Sequence, residues 1–186
     1  MKLSIFYSLL AILGTTVSAP VPEAEIETRS VFKIYPSQAV NIFTPDHGYI
    51  TGDVYVYRYT SNGIQHETNT LLNFPFPSGY AGKTCSFSFA NGWAPSHTYA
   101  NSQKVQLFSV GGPITASNTY TSRPYRNVSY GIFHVSDDGA VGTWDGSTPT
   151  FPCPAAATTL GFEVLSQGDF ADVSWPLGAG LAIVVL

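Results

Sequence analysis

Glu163 lies in a mostly apolar run, Leu160-Gly161-Phe162-Glu163-Val164. A carboxyl group in such surroundings invites acid–base chemistry, because burial raises its pKa. Glycoside hydrolysis needs two acids, set about 5 Å or about 6.5–9.5 Å apart. Candidates to accompany Glu163 are Glu67, Asp137, Asp138 and Asp145. Two features argue against the pair. Asp137-Asp138-Gly139 reads more simply as a turn, and strand alternation puts Phe162 and Val164 on the core face and Glu163 on the solvent face. No residue is expected to be catalytic. The Gly-x-Ser-x-Gly elbow of a serine hydrolase is absent. His47, His66, His97 and His134 show no His-x-x-x-His spacing, and no Cys-x-x-Cys accompanies them. They read as surface or turn histidines, with no metal and no cofactor expected. No Gly-rich phosphate loop opens a helix.

Binding chemistry has more support. Trp93 (in Asn91-Gly92-Trp93) and Trp144 (in Thr143-Trp144-Asp145-Gly146) sit among loop residues able to stack on sugar rings and bond their hydroxyls. The alternative is that both tryptophans plug core edges. Tyr55, Tyr57 and Tyr59 share one face of a strand, as a binding platform or as sheet filling. Arg123 and Arg126 are placed either to pair with a carboxylate such as Glu163 or Asp145, or to stand solvated; capture of a phosphate or carboxylate is a further use of such a pair. Arginine and lysine form no cluster and the net charge is −4, so no nucleic-acid partner is expected. The expected partners are cell-wall polysaccharide or an extracellular protein.

The elements that must position these residues are strands. No segment sustains a helical period, whereas period two is frequent. Val54, Val56 and Arg58 alternate with the tyrosines; Cys85, Phe87 and Phe89 alternate with Thr84, Ser86 and Ser88. Further strand-like runs are Val31–Tyr35, Leu71–Phe76, Val105–Val110, Tyr130–Val135 and Val141–Trp144. Turn sequences separate them: Pro45-Asp46-His47-Gly48, Ser61-Asn62-Gly63, Pro77-Ser78-Gly79, Gly111-Gly112-Pro113 and Asp137-Asp138-Gly139. The expected fold is all-β, an antiparallel β-sandwich with one disulfide. At the end of the chain, Asp172–Trp175 and Leu181–Leu186 read as two closing strands. The apolar tail after Ser166-Gln167-Gly168 also admits a GPI-anchor signal.

The compartment follows from residues 1–19. Lys2, the apolar run Leu3–Leu13 and the small residues Val17-Ser18-Ala19 have the order of a cleaved signal peptide. The run is too short for a membrane span. Cleavage after Ala19 would leave Pro20 first, which excludes a copper enzyme that uses an N-terminal histidine. Residues 20–29 hold two prolines and three glutamates and read as a disordered lead or short pro-segment. Residues 30–186 form one domain. Its 14% aromatic and 11% charged content suits a secreted β protein rather than a disordered one. In an oxidising compartment Cys85 and Cys153 read as a disulfide, against the alternative of two free thiols. Asn127-Val128-Ser129 is a glycosylation sequon.

Three stretches also carry a likeness: Leu71-Leu72-Asn73-Phe74 through Gly82–Phe89; Thr121-Ser122-Arg123-Pro124-Tyr125-Arg126; and Phe151-Pro152-Cys153-Pro154 with Phe162-Glu163, Trp175 and Gly180-Leu181. In this order and spacing the chain resembles the fungal family named for the C-terminal domain of the ubiquitin-three-binding protein, "But-two". The resemblance implies a β-sandwich-like domain of secreted or cell-surface fungal proteins, with no established reaction and no assigned catalytic residue. The family's name refers to an intracellular ubiquitin-like-activating enzyme, a partner from which an export signal would separate this chain. Similar fungal proteins carry IgE-binding or allergen labels. The expected function is therefore a secreted or wall-associated binding or structural domain; the alternatives are a carboxylate-based carbohydrate-active enzyme and a host-interacting protein.

Overall fold

A computed structural model describes residues 32–89, 103–135 and 142–186. Residues 31–186 form one unit by their contacts. Its thirteen strands in the described residues are β1 (Lys33–Ile34), β2 (Gln38–Phe43), β3 (His47–Thr51), β4 (Asp53–Ser61), β5 (Ile64–Phe76), β6 (Thr84–Phe89), β7 (Gln103–Val110), β8 (Arg126–Val135), β9 (Thr143–Trp144), β10 (Thr150–Pro152), β11 (Thr158–Ser166), β12 (Ala171–Pro176) and β13 (Leu181–Val185). All pairings are antiparallel. One sheet has the order β1-β13-β6-β10. The other runs β12-β4-β5-β11-β7-β8-β9, with β2 bound to β5 and β3 bound to β2.

The expected all-β sandwich is what the chain forms. The main core gathers Phe87, Phe89, Leu181 and Ile183 from the smaller sheet and Leu72, Phe74, Val105, Phe133, Phe162 and Trp175 from the larger. Their rings meet edge to face: Phe87 and Phe162 at 5.3 Å, Phe89 and Trp175 at 5.2 Å between centroids. Burying each such side chain contributes about 2–3 kcal/mol before the entropy of ordering is set against it. Cys85 and Cys153 form the expected disulfide, closing 68 residues of sequence separation and fixing β10 on β6, where Phe151 faces Cys85.

The closing-strand reading of the chain end also holds. β12 pairs with β4, and β13 lies between β1 and β6, which explains why its four residues Leu181–Val184 are buried on both faces. β1 and β9 are shorter than the expected Val31–Tyr35 and Val141–Trp144 runs. β2, β3 and β10 were not legible as strands. The hairpin expected at Asp137-Asp138-Gly139 lies outside the described residues.

β5 organises the larger sheet. Thr68 pairs with Phe43 of β2 and Tyr57 of β4, and Thr70 with Asn41 of β2 and Val164 of β11. A strand residue has two edges, so β4 and β11 must follow one another along one edge of β5 while β2 spans their junction on the other. Thr70 Oγ1 fills the gap, accepting from the Tyr55 N–H at 3.0 Å and facing Asn41 Oδ1 at 2.6 Å. The β4–β5 turn is Asn62-Gly63, both at positive φ (51° and 74°), the conformation a two-residue hairpin requires.

The larger sheet also buries residues on its other face. Leu71, Val40 and Ile42 pack with Ile114 into a second, smaller core. Its cover is the β7–β8 loop, residues 111–125. This loop is closed at its base by Gly111 N–H donating to the Tyr125 carbonyl (2.9 Å) and pinned to β5 by Asn73 Nδ2 donating to the Ile114 carbonyl (3.1 Å). At Gly48 of β3 the loop approaches so closely that a Cβ would stand 1.9 Å from the Asn118 carbonyl oxygen.

Candidate functional site

Beside this small core the same loop covers a charged cluster. The Asn62-Gly63 turn sets the register in which Arg58 of β4 stands opposite Glu67 of β5, and Arg58 Nη2 donates to Glu67 Oε1 at 2.9 Å. Gln65 Nε2 (2.9 Å) and Tyr120 Oη (3.1 Å) donate to Glu67 Oε2. On β11, Glu163 is fully buried. Arg126 holds it bidentately, Nε to Oε2 at 2.7 Å and Nη2 to Oε1 at 2.8 Å. Asn69 Nδ2 donates to Glu163 Oε1 at 3.3 Å, and Arg123 Nε stands 3.6 Å from the same oxygen.

Glu163 thus corrects the sequence expectation. It points away from the main core, as alternation requires, but that side is not solvent. Alternation reports which face a residue takes; whether that face is covered depends on a loop some forty residues earlier in the chain.

The arrangement holds Glu67 ionised. Burial acts to raise its pKa, but the donors Arg58, Asn69 and Tyr120 together outweigh it and leave the group below the ordinary carboxyl value. Burial, and then the Glu67 charge, pushes the Tyr120 phenol up. The hydrogen bonds to Glu163 hold the Arg126 guanidinium more firmly protonated. An acid kept ionised by an arginine is a poor proton donor, so Glu67 is unsuited to the general-acid role that glycoside hydrolysis needs.

Arg123 and Arg126 therefore both meet Glu163, and neither meets Asp145. Asp145 is engaged instead by His134 Nε2 at 2.5 Å and Lys104 Nζ at 3.3 Å, and these partners hold its pKa down. Trp144 packs against the edge of the main core, 5.2 Å from Phe133. Trp93 and His97, with Asp137 and Asp138, lie outside the described residues. Asn127 is exposed near the start of β8. Among the described residues no group of three or more His, Cys, Asp or Glu is placed to hold a metal, and no helix is long and apolar enough to cross a membrane.

Sequence reasoning missed Arg58, Asn69 and Tyr120. The Arg58–Glu67 pairing had a signal: counting outward from Asn62-Gly63 sets position 58 opposite 67. Tyr120 had none, since it arrives on a loop.

On the reverse side of β4 from Arg58, the tyrosine face forms a continuous aromatic row. Ring centroids lie 5.7 Å apart between Tyr55 and Tyr57, 5.1 Å between Tyr57 and Tyr59, and 4.5 Å between Tyr59 and His66 of β5. All four are half-buried, and Asp172 of β12 faces Tyr57. Burial, followed by the Asp172 charge, pushes the Tyr55 phenol up to about 12.

No curated protein matches the chain. A family model, the ubiquitin 3 binding protein But2 C-terminal domain, matches residues 52–175. That span runs from the start of β4 to β12 and includes the Arg58–Glu67 pair, the loop 111–125 and the Arg126–Glu163 pair. On that match, the chain belongs to the But2 C-terminal domain family.

Proposed function

We propose that this protein is an exported, wall-associated binding domain without catalytic machinery, and that it holds neutral polysaccharide on the aromatic row of β4 and β5. The row Tyr55-Tyr57-Tyr59-His66 carries the reading. Half-exposed rings in a line offer apolar surface to sugar rings, and their hydroxyls offer partners to sugar hydroxyls. Trp144 is less suited, because it is spent on the core edge.

Export is supported by the order of charged, apolar and small residues over positions 1–19, by a disulfide of the kind that oxidising compartments favour, and by an exposed Asn127 in a sequon. The enzyme reading is the weaker one, because both buried acids are occupied by arginines.

The test is retention on insoluble β-glucan, chitin and mannan. Wild type is retained on at least one, and Tyr57→Ala/Tyr59→Ala is not. Absence of retention on all three, or equal retention of the variant, defeats the reading. N-terminal sequencing of the exported protein is expected to begin at or after Pro20, and an N-glycosidase mass shift is expected to vanish in Asn127→Gln.

A further inference from the structure

The charged cluster is unevenly satisfied. Its carboxylates are each served by three donor bonds: Glu163 receives Arg126 twice and Asn69 once, and Glu67 receives Arg58, Gln65 and Tyr120; the buried Asn69 Oδ1 meets no donor. Its donors are in surplus. Arg58, Arg123 and Arg126 face two carboxylates, which leaves one positive charge over in a chain whose net charge is −4. Among the described residues no hydrogen-bond acceptor meets Arg123 Nη2 or Arg126 Nη1. Both arginines line an open cleft of about 550 Å³ together with Tyr120, Thr121, Pro124 and Tyr125.

Arg123 is pre-positioned there. Its Nη1 donates to the Tyr120 carbonyl, and its guanidinium carbon stands 4.3 Å from the centroid of the Tyr120 ring. A fork already fixed loses little freedom when it binds. Tyr125 is 68% exposed, its carbonyl bonded to the Gly111 N–H, and it lines the same cleft. Arginine donors take an oxyanion bidentately, and the neighbouring aromatic face takes the apolar side of a pyranose.

We propose that this cleft binds the acidic group of a charged polysaccharide, either a uronate carboxylate or a sugar phosphate, with Arg123 as the main donor. Only the polysaccharide class is shared with the reading above; the site lies on the opposite side of β4 and stands by itself.

Titration calorimetry on the intact, disulfide-bonded protein tests it with trigalacturonate, mannose 6-phosphate, inorganic phosphate and neutral galactotriose. One acidic sugar is expected to bind one to one, more weakly as salt rises, and which one distinguishes uronate from phosphate. Arg123→Gln weakens it at least tenfold, and Arg123→Lys, which keeps the charge but loses the fork, weakens it severalfold. If Arg123→Gln lowers the melting temperature, the exposed Tyr125→Ala takes its place, with the same direction of effect. The proposal is overturned by no heat with either acidic sugar, by response to inorganic phosphate alone, by equal binding of galactotriose, or by unchanged binding in the variants. Tyr57→Ala/Tyr59→Ala leaves the acidic probes untouched, so either site can fail without the other.

Discussion

Arg126 of β8 and Glu163 of β11 make two parallel hydrogen bonds, at 2.7 and 2.8 Å, across the intervening strand β7. The carboxylate is fully buried and the arginine about one third exposed. The pair ties the root of the 111–125 loop to the centre of the larger sheet.

Removing one partner leaves the other charge poorly matched. Arg126→Gln is expected to lose about 3 kcal/mol of unfolding free energy, the scale for breaking a buried pair. Replacing both, in Arg126→Met/Glu163→Leu, recovers at least half of that, because no charge remains to be desolvated. Urea denaturation of Arg126→Met, Glu163→Leu and the double variant checks this. A double-variant loss equal to the sum of the two single losses would show that the pair is not coupled.

Acid sensitivity follows from Glu67. Its folded pKa lies below the ordinary 4.5, so the stability it contributes is complete above about pH 4.5 and is lost as pH falls through the folded value. Melting temperature should be flat from pH 7 to about 5 and fall below that. Tyr120→Phe removes one donor to Glu67, raises its folded pKa and shrinks the acid-dependent part of the curve. An unchanged acid limb in that variant would assign the sensitivity elsewhere.

Tyr55 contributes to the alkaline limb. Its phenol is raised from 10.0 to about 12 by burial and then by Asp172. A raised pKa contributes stability that is present below pH 10 and lost as pH rises towards 12. Ultraviolet titration is expected to show a late tyrosine, and Asp172→Asn should bring it down towards 10.

The disulfide should matter to stability rather than to shape. Its 68-residue separation gives about 4 kcal/mol by loop-closure entropy. Cys85→Ala/Cys153→Ala is expected to lower the denaturant midpoint accordingly while keeping an all-β circular dichroism spectrum. Loss of that spectrum under native conditions would mean that the bond is needed to fold.

Gly48 tests the loop. Gly48→Ala forces a Cβ against the Asn118 carbonyl, and relieving such a clash costs about 1–3 kcal/mol. Binding at the Arg123 cleft is expected to suffer with it, while retention on neutral polysaccharide persists. A variant as stable as wild type would mean that the loop yields freely.

Several things were written in the sequence itself. Period two placed Val54, Val56, Phe87 and Phe89 in the core, since a strand's side chains must alternate whatever it packs against. Asn62-Gly63 fixed a hairpin register, and with it Arg58 opposite Glu67. The likeness over the Thr121–Arg126 and Phe162-Glu163 stretches pointed to the right family. The tertiary structure decided the rest. Alternation gives Glu163 its side but not its environment, because burial depends on what lies over a face and here that is a distant loop. The same loop brought Tyr120 to Glu67 and Arg123 and Arg126 to Glu163. Contacts between segments so far apart are set by packing, which no local period in the chain encodes.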